Sequence, residues 1–489
     1  MPISRREFVA TSAAAALASS LSRIAWASGN GEPDVIVIGA GLSGLETALT
    51  LEESGLKVLV LEGRKRIGGR LYSLFDVEGH PEVGGQSISA AYGRCVAAGQ
   101  KYGVGIVNLT PMVIDDIGQE MFIDGEHVKP EAWASHSRNP FAGDMKKLLP
   151  WSWSDAMFRK HMPFTDLENW HDPRYAKHDI SVHEFLTSRG ATDAMIRLGF
   201  DTNVSYGTHA FDVSLLTMAF ANYWRDVNRE KGIAEARNKS ATPAFGSYEG
   251  GNQKLPIAMA NRLRGELLQD KRITGIDIGA TGGKVTCADG SSYRAKAIVC
   301  AMPFSALRHV PISPMPDALR HRAINTLGYI PITQFHLVAK KPFWEKDGLS
   351  PSMWTNGPLG AVLAQRLPDK LRQINSLTVW CRGANSQFID RFGVEQGSRI
   401  ILDELARLRP ASKGAVEVAA VHSWTADPFS AGGWSIFGPG QVSGFQKAMA
   451  RPHQRLFFAG EHTSVGTRGM EGALESAERV SLEVLDAIG

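Results

Sequence analysis

One stretch constrains this chain more than any other. Pro33 to Arg70 reads PDVIVIGAGLSGLETALTLEESGLKVLVLEGRKRIGGR. Val35 to Ile38 is an unbroken β-branched run, the mark of a strand buried on both faces. Gly39-Ala40-Gly41-Leu42-Ser43-Gly44 follows at once, and Leu45, Ala48, Leu49 and Leu51 then recur at helical spacing. Val58 to Leu61 is a second buried strand that ends in Glu62. Strand, glycine turn, helix, strand and acid stand in the order of a dinucleotide site. Gly39 permits the tight turn, Gly41 lets backbone approach a pyrophosphate at the helix N-terminus, and Gly44 lets helix and strand pack closely. Glu62 is placed to accept hydrogen bonds from a ribose diol.

The residues after Glu62 discriminate between dinucleotides. Arg64, Arg66, Gly68, Gly69 and Arg70 form RxRxGGR. An NAD site needs no such tail, whereas FAD extends further and its second phosphate calls for cationic partners. With this tail the chain resembles the flavin-containing amine oxidase family, which includes monoamine, polyamine and L-amino-acid oxidases. Gly63 stands where that family has alanine. The resemblance continues at Glu82-Val83-Gly84-Gly85-Gln86, a segment that brings backbone close to the flavin, and at Glu249 to Leu255, the return to the cofactor domain. It closes on Phe458-Ala459-Gly460-Glu461 and Gly469-Met470-Glu471-Gly472-Ala473. It implies that the backbone at Ile273 holds the adenine. It also implies that the N-terminus of the last helix faces the flavin pyrimidine, where its partial positive charge favours reduction.

The remaining composition mostly excludes. Lys plus Arg number 53 against 50 Asp plus Glu, which gives no reason to expect nucleic acid. The four cysteines, Cys95, Cys287, Cys300 and Cys381, show no metal spacing, and buried free thiols are expected. The N-terminus reads as a leader. Ser4-Arg5-Arg6-Glu7-Phe8 resembles a twin-arginine export motif, Ala13 to Ala18 is weakly apolar, and Ala25-Trp26-Ala27 offers a cleavage site. The apolar run is too short to span a bilayer. Residues 1–27 are therefore read as a signal peptide, and a periplasmic or secreted location follows.

The expected architecture is α/β: a Rossmann-type FAD-binding domain (28–92, 241–304 and 449–489) interleaved with an α+β substrate domain (93–240 and 305–448). A helix is expected from Lys254 to about Leu268, a hairpin around Asp289-Gly290, and strands at Ala297–Cys300, Ile330–Ala339 and Ser376–Trp380. Helices are expected at Ser398–Leu408 and from Met470 to about Ala487. The stretch from Ala90 to Ser240, with Trp151, Trp153, Trp170 and Trp224, reads as largely helical, its tryptophans packed in a core.

Amine oxidation asks little acid–base work of the protein: a neutral amine gives its α-hydrogen to flavin N5, and water hydrolyses the product. Three departures from the family bear on this. The covalent monoamine oxidases have cysteine where Gly433 stands, so FAD is expected to be bound non-covalently. Of the two aromatic walls that flank the amine, Trp434 matches one, and the other falls on Gly469 and is absent, which leaves room for a bulkier or cyclic amine. A lysine that holds water against N5 is replaced by Gln334, which removes a cation that stabilises superoxide. The expected partners are a small-molecule amine and, as electron acceptor, oxygen or a periplasmic carrier such as a c-type cytochrome, with a homodimer left open. A C–C desaturase and a flavin-binding protein without turnover are the alternatives. His209, His336 and His462 read as structural.

Overall fold

The computed structural model describes residues 32–89, 92–109, 119–166, 169–237, 245–367 and 370–489. The leader expected over residues 1–27 lies outside them. In chain order, the elements that build the site begin with β1 (Val35–Ile38), α1 (Leu42–Glu53), β2 (Val58–Leu61), α2 (Gly93–Tyr102) and α3 (Leu215–Arg237). They continue with β3 (Leu267–Leu268), β4 (Ile273–Ile278), β5 (Ala297–Cys300), β6 (Ile332–Ala339), β7 (Lys370–Arg382), β8 (Val416–Ser423), β9 (Leu456–Phe458) and α4 (Gly469–Ile488).

β9, β5, β1, β2 and β3 form one sheet in that order, every pair parallel. The unbroken β-branched run of β1 is explained by burial on both sides. Ile36 and Ile38 pack with Ile298 and Phe458, while Val35 and Val37 pack with Leu45, Leu49 and Val480. α1 and α4 lie against each other on the second face.

The helix after Glu249 is shorter than expected. It spans Lys254–Ala260, and Leu267–Leu268 is instead the edge strand β3, paired with β2. The chain is pinned on the way: the backbone N–H groups of Arg264 and Gly265 donate to the Glu52 carboxylate at 2.9 and 2.6 Å. A Cβ at Gly265 would lie 2.1 Å from the Val58 carbonyl oxygen, so only glycine admits this approach. The hairpin at Asp289-Gly290 is present, joining Gly283–Cys287 to Ser292–Ala295.

The second layer is a seven-stranded sheet in the order β8, β6, β7, Ala361–Leu367, Met353–Thr355, Glu120–Ile123, Glu126–Val128. The last two strands fall in the stretch expected to be largely helical; Met121 and Ile123 are buried there with Trp133 and Trp354. Trp153, Trp170 and Trp224 are buried in the core as expected, and all four cysteines are free and buried.

The nucleotide layer also reaches further along the chain than residues 92 and 304. Cys95, Ala98 and Tyr102 of α2 share a cluster with Leu45 and Val480, Ile106–Asn108 pairs with Gly246–Tyr248, and Ile312–Ser313 pairs with β4. The reason is local. Glu471 in the first turn of α4 accepts the backbone N–H groups of Arg94 and Cys95, each at 3.0 Å, and so caps α2.

Candidate active site

The two layers enclose a cavity of about 1770 Å³. A pocket for one small ligand occupies roughly 300–1,000 Å³, so this one has room for an extended cofactor and a substrate together. The residues singled out for the cofactor turn, the arginine tail and the last helix line it except Gly44 and Arg66, as do Gln334, Gly433 and Trp434.

One end is built from backbone. Gly39 has φ +106°, and a Cβ at Gly44 would stand 2.0 Å from the Gly39 carbonyl oxygen, so Gly44 packs beneath the turn and Leu42 and Ser43 face the cavity. Gly41 is the N-cap of α1 and no side chain caps the helix, which leaves the N–H groups of its first turn directed at whatever fills the cradle. A Cβ at Gly41 would meet only Gly69 Cα at 3.8 Å; the space above the turn is open. Glu62 accepts the backbone N–H of Ala40 and of Arg64, both at 2.8 Å, and thereby holds the turn against the end of β2. Further along, a Cβ at Gly84 would lie 1.9 Å from the Arg70 carbonyl oxygen, and one at Gly85 would meet Leu71 at 2.7 Å and Met470 at 3.3 Å. Gln86, Gly460, Met470 and Ala473 complete this wall, and Ile273 stands with Lys271 and Arg272 at its far end. A long, glycine-lined cradle over a helix N-terminus with a carboxylate beside it fits FAD.

The arginine tail lines the cavity at Arg64 and Arg70 and is also tied to protein acceptors. Arg64 Nη2 donates to both Asp427 oxygens at 2.9 and 2.8 Å and to Ser430 Oγ at 2.7 Å. Arg66 donates to the Gly69 carbonyl and lies over the Tyr72 ring at 4.3 Å. Arg70 Nη1 donates to the Gly433 carbonyl at 2.5 Å and to Glu461 at 2.8 Å. The nearest acceptors are protein groups, so the tail ties the nucleotide turn to segments more than 350 residues away. Gly63 is explained by the same packing: a Cβ there would be 2.4 Å from the Phe429 ring, over which Arg64 sits. Glu461 is likewise a strut. It also accepts Ser435 N–H and Oγ–H, each at 3.0 Å; burial raises its carboxyl, but the Arg70 charge and these hydrogen bonds outweigh that and hold it below the ordinary carboxylate range.

The other end is built from side chains. On β6, Ile332, Gln334 and His336 share a face with Arg382, Trp380 and Thr378 of β7, to which they pair in that order. Gln334 is buried, and its Oε1 has no hydrogen-bond partner among the described residues. Arg382 Cζ lies 3.8 Å from the Trp380 ring centroid and 5.1 Å from that of Trp434. Trp434 is therefore a cavity wall already covered by a protein cation. Gly469 has φ +58°, and a Cβ there would meet no atom of the described residues within 4 Å, which leaves open the place where a second wall was expected to be missing. Gly433 donates to the Ile330 carbonyl at 2.8 Å, and a side chain on it would meet Ile332 Cδ1 at 2.3 Å. His336 and His462 are buried, and burial pushes them to about 4 and about 3; neither lines the cavity, and His209 is half-exposed beside Asp201.

Sequence reading missed Arg382, Arg468, Arg225 and Tyr206 on this side. The signal for Arg382 was available. Leu377, Val379 and Cys381 are core residues, so strand alternation places Trp380 and Arg382 on the face of Gln334, two residues beyond where the strand was expected to end. Arg225 and Tyr206 come from the stretch with no motif.

The family model for flavin containing amine oxidoreductases matches residues 42–485. A flavin-containing amine oxidase of Danio rerio is 26% identical over 93% of this chain and 86% of its own length. A nicotine dehydrogenase of Pseudomonas putida is 25% identical over 98% of this chain and 97% of its own. Among solved structures, cyclohexylamine oxidase from Brevibacterium oxydans superposes with a TM-score of 0.73 at 20% identity, covering 93% of this chain and 99% of that one. These relatives are enzymes by name, and they lend no support to a flavin-binding protein without turnover.

Proposed function

Because the chain belongs to the flavin containing amine oxidoreductase family, we propose that it oxidises the carbon–nitrogen bond of an amine to an imine, which water then hydrolyses, and that its electrons leave to a periplasmic carrier faster than to oxygen. Bound FAD supplies the hydride acceptor. The chain's own residues do the rest. The Gly39–Gly44 turn, Glu62, Gly84, Gly85 and the N-terminus of α4 would hold the cofactor without a covalent link, since Gly433 carries no thiol. Trp434, Ile332 and the open space at Gly469 shape the substrate end. The fixed charge of Arg382 disfavours a second positive charge beside it, which keeps a bound amine in its neutral, reactive form.

Gln334 carries the acceptor reading. It is a buried amide on the cavity wall with a free Oε1, able to hold a water but without charge to offer oxygen. A dehydrogenase among the relatives supports the same reading, as does a twin-arginine leader, which would place the folded, FAD-loaded enzyme beside carriers such as c-type cytochromes. The test is turnover of the amine-reduced enzyme in air against turnover with an artificial one-electron acceptor. A much higher rate with the acceptor is expected, and equal rates would leave a plain oxidase. Arg5→Lys with Arg6→Lys should retain the loaded protein in the cytoplasm.

A further inference from the structure

The charges around the cavity are unequal in a way that the cofactor alone does not explain. Among the described lining residues only Glu62 and Glu461 are acidic, and both are engaged, Glu62 by backbone N–H groups and Glu461 by Arg70. Against them, Arg225, Arg229, Arg382 and Arg468 also line the cavity, and Arg382 stands at the substrate end beside Trp434. Arg225 is neutralised by Asp155 at 2.7 Å. Arg382 has no such partner.

Arg382 is the most informative of these. Its Nη1 donates to the Val204 carbonyl at 2.9 Å, its Nε has no partner among the described residues, and no acid there makes an ion pair with it. Burial alone pushes its guanidinium down to about 9, with no neighbouring charge offsetting it. A buried cation left without a counter-ion is costly, and proteins retain one where a ligand supplies the anion. Trp380 and Trp434 lie against it, their ring centroids 3.8 and 5.1 Å from Cζ, and its Nε is left without an acceptor, so a carboxylate can be received along the guanidinium edge. Both tryptophans thus orient the arginine instead of enclosing a cation of the substrate.

We propose that the substrate end is an anion-receiving site anchored by Arg382, and that the amine oxidised here carries a carboxylate. The inference rests on the amine reading above. It disfavours diamines and polyamines, whose second positive charge would face the same arginines with no unengaged acid among the described lining residues.

Binding to the FAD-loaded enzyme tests this without turnover. 3-Phenylpropionate and its neutral amide, 3-phenylpropanamide, differ in the charge of one group, and each can be titrated by its perturbation of the flavin absorbance. The carboxylate is expected to bind at least about tenfold more tightly than the amide, the gain of one charge-assisted contact. Arg382→Gln should erase that difference, and Arg382→Lys should restore part of it, with flavin content and melting temperature checking that each variant is folded. Equal binding of the two ligands to the wild-type enzyme overturns the proposal by itself, whether or not the variants fold; so does a carboxylate preference that survives in Arg382→Gln. Anaerobic bleaching by phenylalanine, phenethylamine and putrescine separates this from the reading it rests on. Phenylalanine alone is expected to bleach the flavin. Bleaching by phenethylamine with equal efficiency, or by putrescine, sinks the anion site and leaves amine oxidation standing. No bleaching by any amine, alongside an intact carboxylate preference, sinks amine oxidation instead.

Discussion

The two ends of the cavity are made of different material. At the cofactor end the wall is backbone, and its shape is set by contacts that a single methyl would violate: 2.0 Å at Gly44 beneath the turn, 1.9 Å at Gly84, 2.7 Å at Gly85. At the substrate end the wall is side chain, and its character comes from Gln334, Arg382 and Trp434, brought together from separate strands and loops of the chain. Backbone walls fix where a ligand's constant parts lie; side-chain walls decide which variable part is admitted. The first kind tolerates almost no change of residue, whereas the second can be rewritten one position at a time.

The strongest way to expose this contrast is at two neighbouring glycines. Gly44→Ala drives a methyl into the Gly39 carbonyl, backbone against backbone, with Ala301 Cβ closing the other side at 3.3 Å. No soluble, flavin-loaded protein is expected. Gly41→Ala adds the same methyl at φ −85°, where alanine is comfortable, and meets only Gly69 Cα at 3.8 Å. That variant should fold and hold FAD more weakly, because the methyl enters the cradle. Flavin content per soluble protein measures both, and two folded variants with equal FAD affinity would show that the turn is not the cradle.

Acid should act on both ends alike, which makes it a test of where the contrast stops. His336 and His422 in the substrate sheet are held by burial at about 4, and His462 behind β9 at about 3, against an unfolded value of 6.5. None of their Nε2 atoms has a hydrogen-bond partner among the described residues, and the Asp427 carboxylate 3.9 Å from His422 offsets only part of the burial. The unfolded chain binds these protons first, so stability is present above about pH 6.5 and is lost as pH falls toward 4, by up to about 1.4 kcal/mol per pH unit for each group. Glu82 has the opposite sign. Burial raises it to about 8, so its contribution falls as pH rises from 4.5 through 8. The melting temperature of the holoenzyme should therefore drop between pH 6.5 and 4, and an unchanged value there would show that these histidines are not buried neutral.

The same contrast explains why the sequence discloses one end of the cavity and hides the other. The cofactor end is legible because its constraints are local. Glycines at fixed offsets, a β-branched run and one acid lie within forty residues, and each is required by a contact with its near neighbours. The arginine tail is legible as a pattern, but its protein partners are not, since Asp427, Ser430 and Glu461, which accept from Arg64 and Arg70, lie far along the chain and carry no spacing signal. The substrate end is nearly opaque. Gln334 can be placed only by counting from an anchor further along the chain, and strand alternation gives the face of Arg382 but not its place opposite Ile332, which needs the pairing of β6 with β7. The helix expected to reach Leu268 fails for the same reason, since the Glu52 carboxylate that pins the chain after it is over two hundred residues earlier.

A smaller effect belongs to Glu62. Its carboxylate already holds the backbone of Ala40 and Arg64, so Glu62→Ala removes the brace of the turn along with any contact to the ribose. Losing a hydrogen bond to a charged group costs about 1.5–3 kcal/mol, which is about 10- to 150-fold in the dissociation constant for FAD. Titration of the apoprotein by flavin fluorescence measures it. Unaltered affinity in a folded variant would show that Glu62 serves the loop alone.

The smallest expected effect tests the substrate end, where one residue can change an outcome without disturbing the fold. Gln334→Lys places a cation on the cavity wall in a site that now holds a neutral amide. Reduction by substrate should change little, because the variant alters no cradle residue. Reoxidation by oxygen should quicken, since negative charge develops on oxygen as it is reduced and a nearby cation stabilises it. The ceiling is about 4 kcal/mol for unit charges 4 Å apart at an effective dielectric near 20. Burying the lysine offsets much of that, and Arg382 on the neighbouring strand repels it. A gain of about tenfold, or ~1.4 kcal/mol, is the expected remainder. Arg382 is also the competing explanation, because it is a cation on the same face of the sheet. If Arg382 already serves oxygen, wild-type reoxidation will outpace turnover and Arg382→Gln will slow it. If it serves the substrate's carboxylate, Arg382→Gln will weaken substrate binding and leave reoxidation as slow as before. Stopped-flow mixing of each reduced variant with oxygen separates these outcomes, and fast reoxidation of the wild-type enzyme would end the case for a dedicated electron carrier.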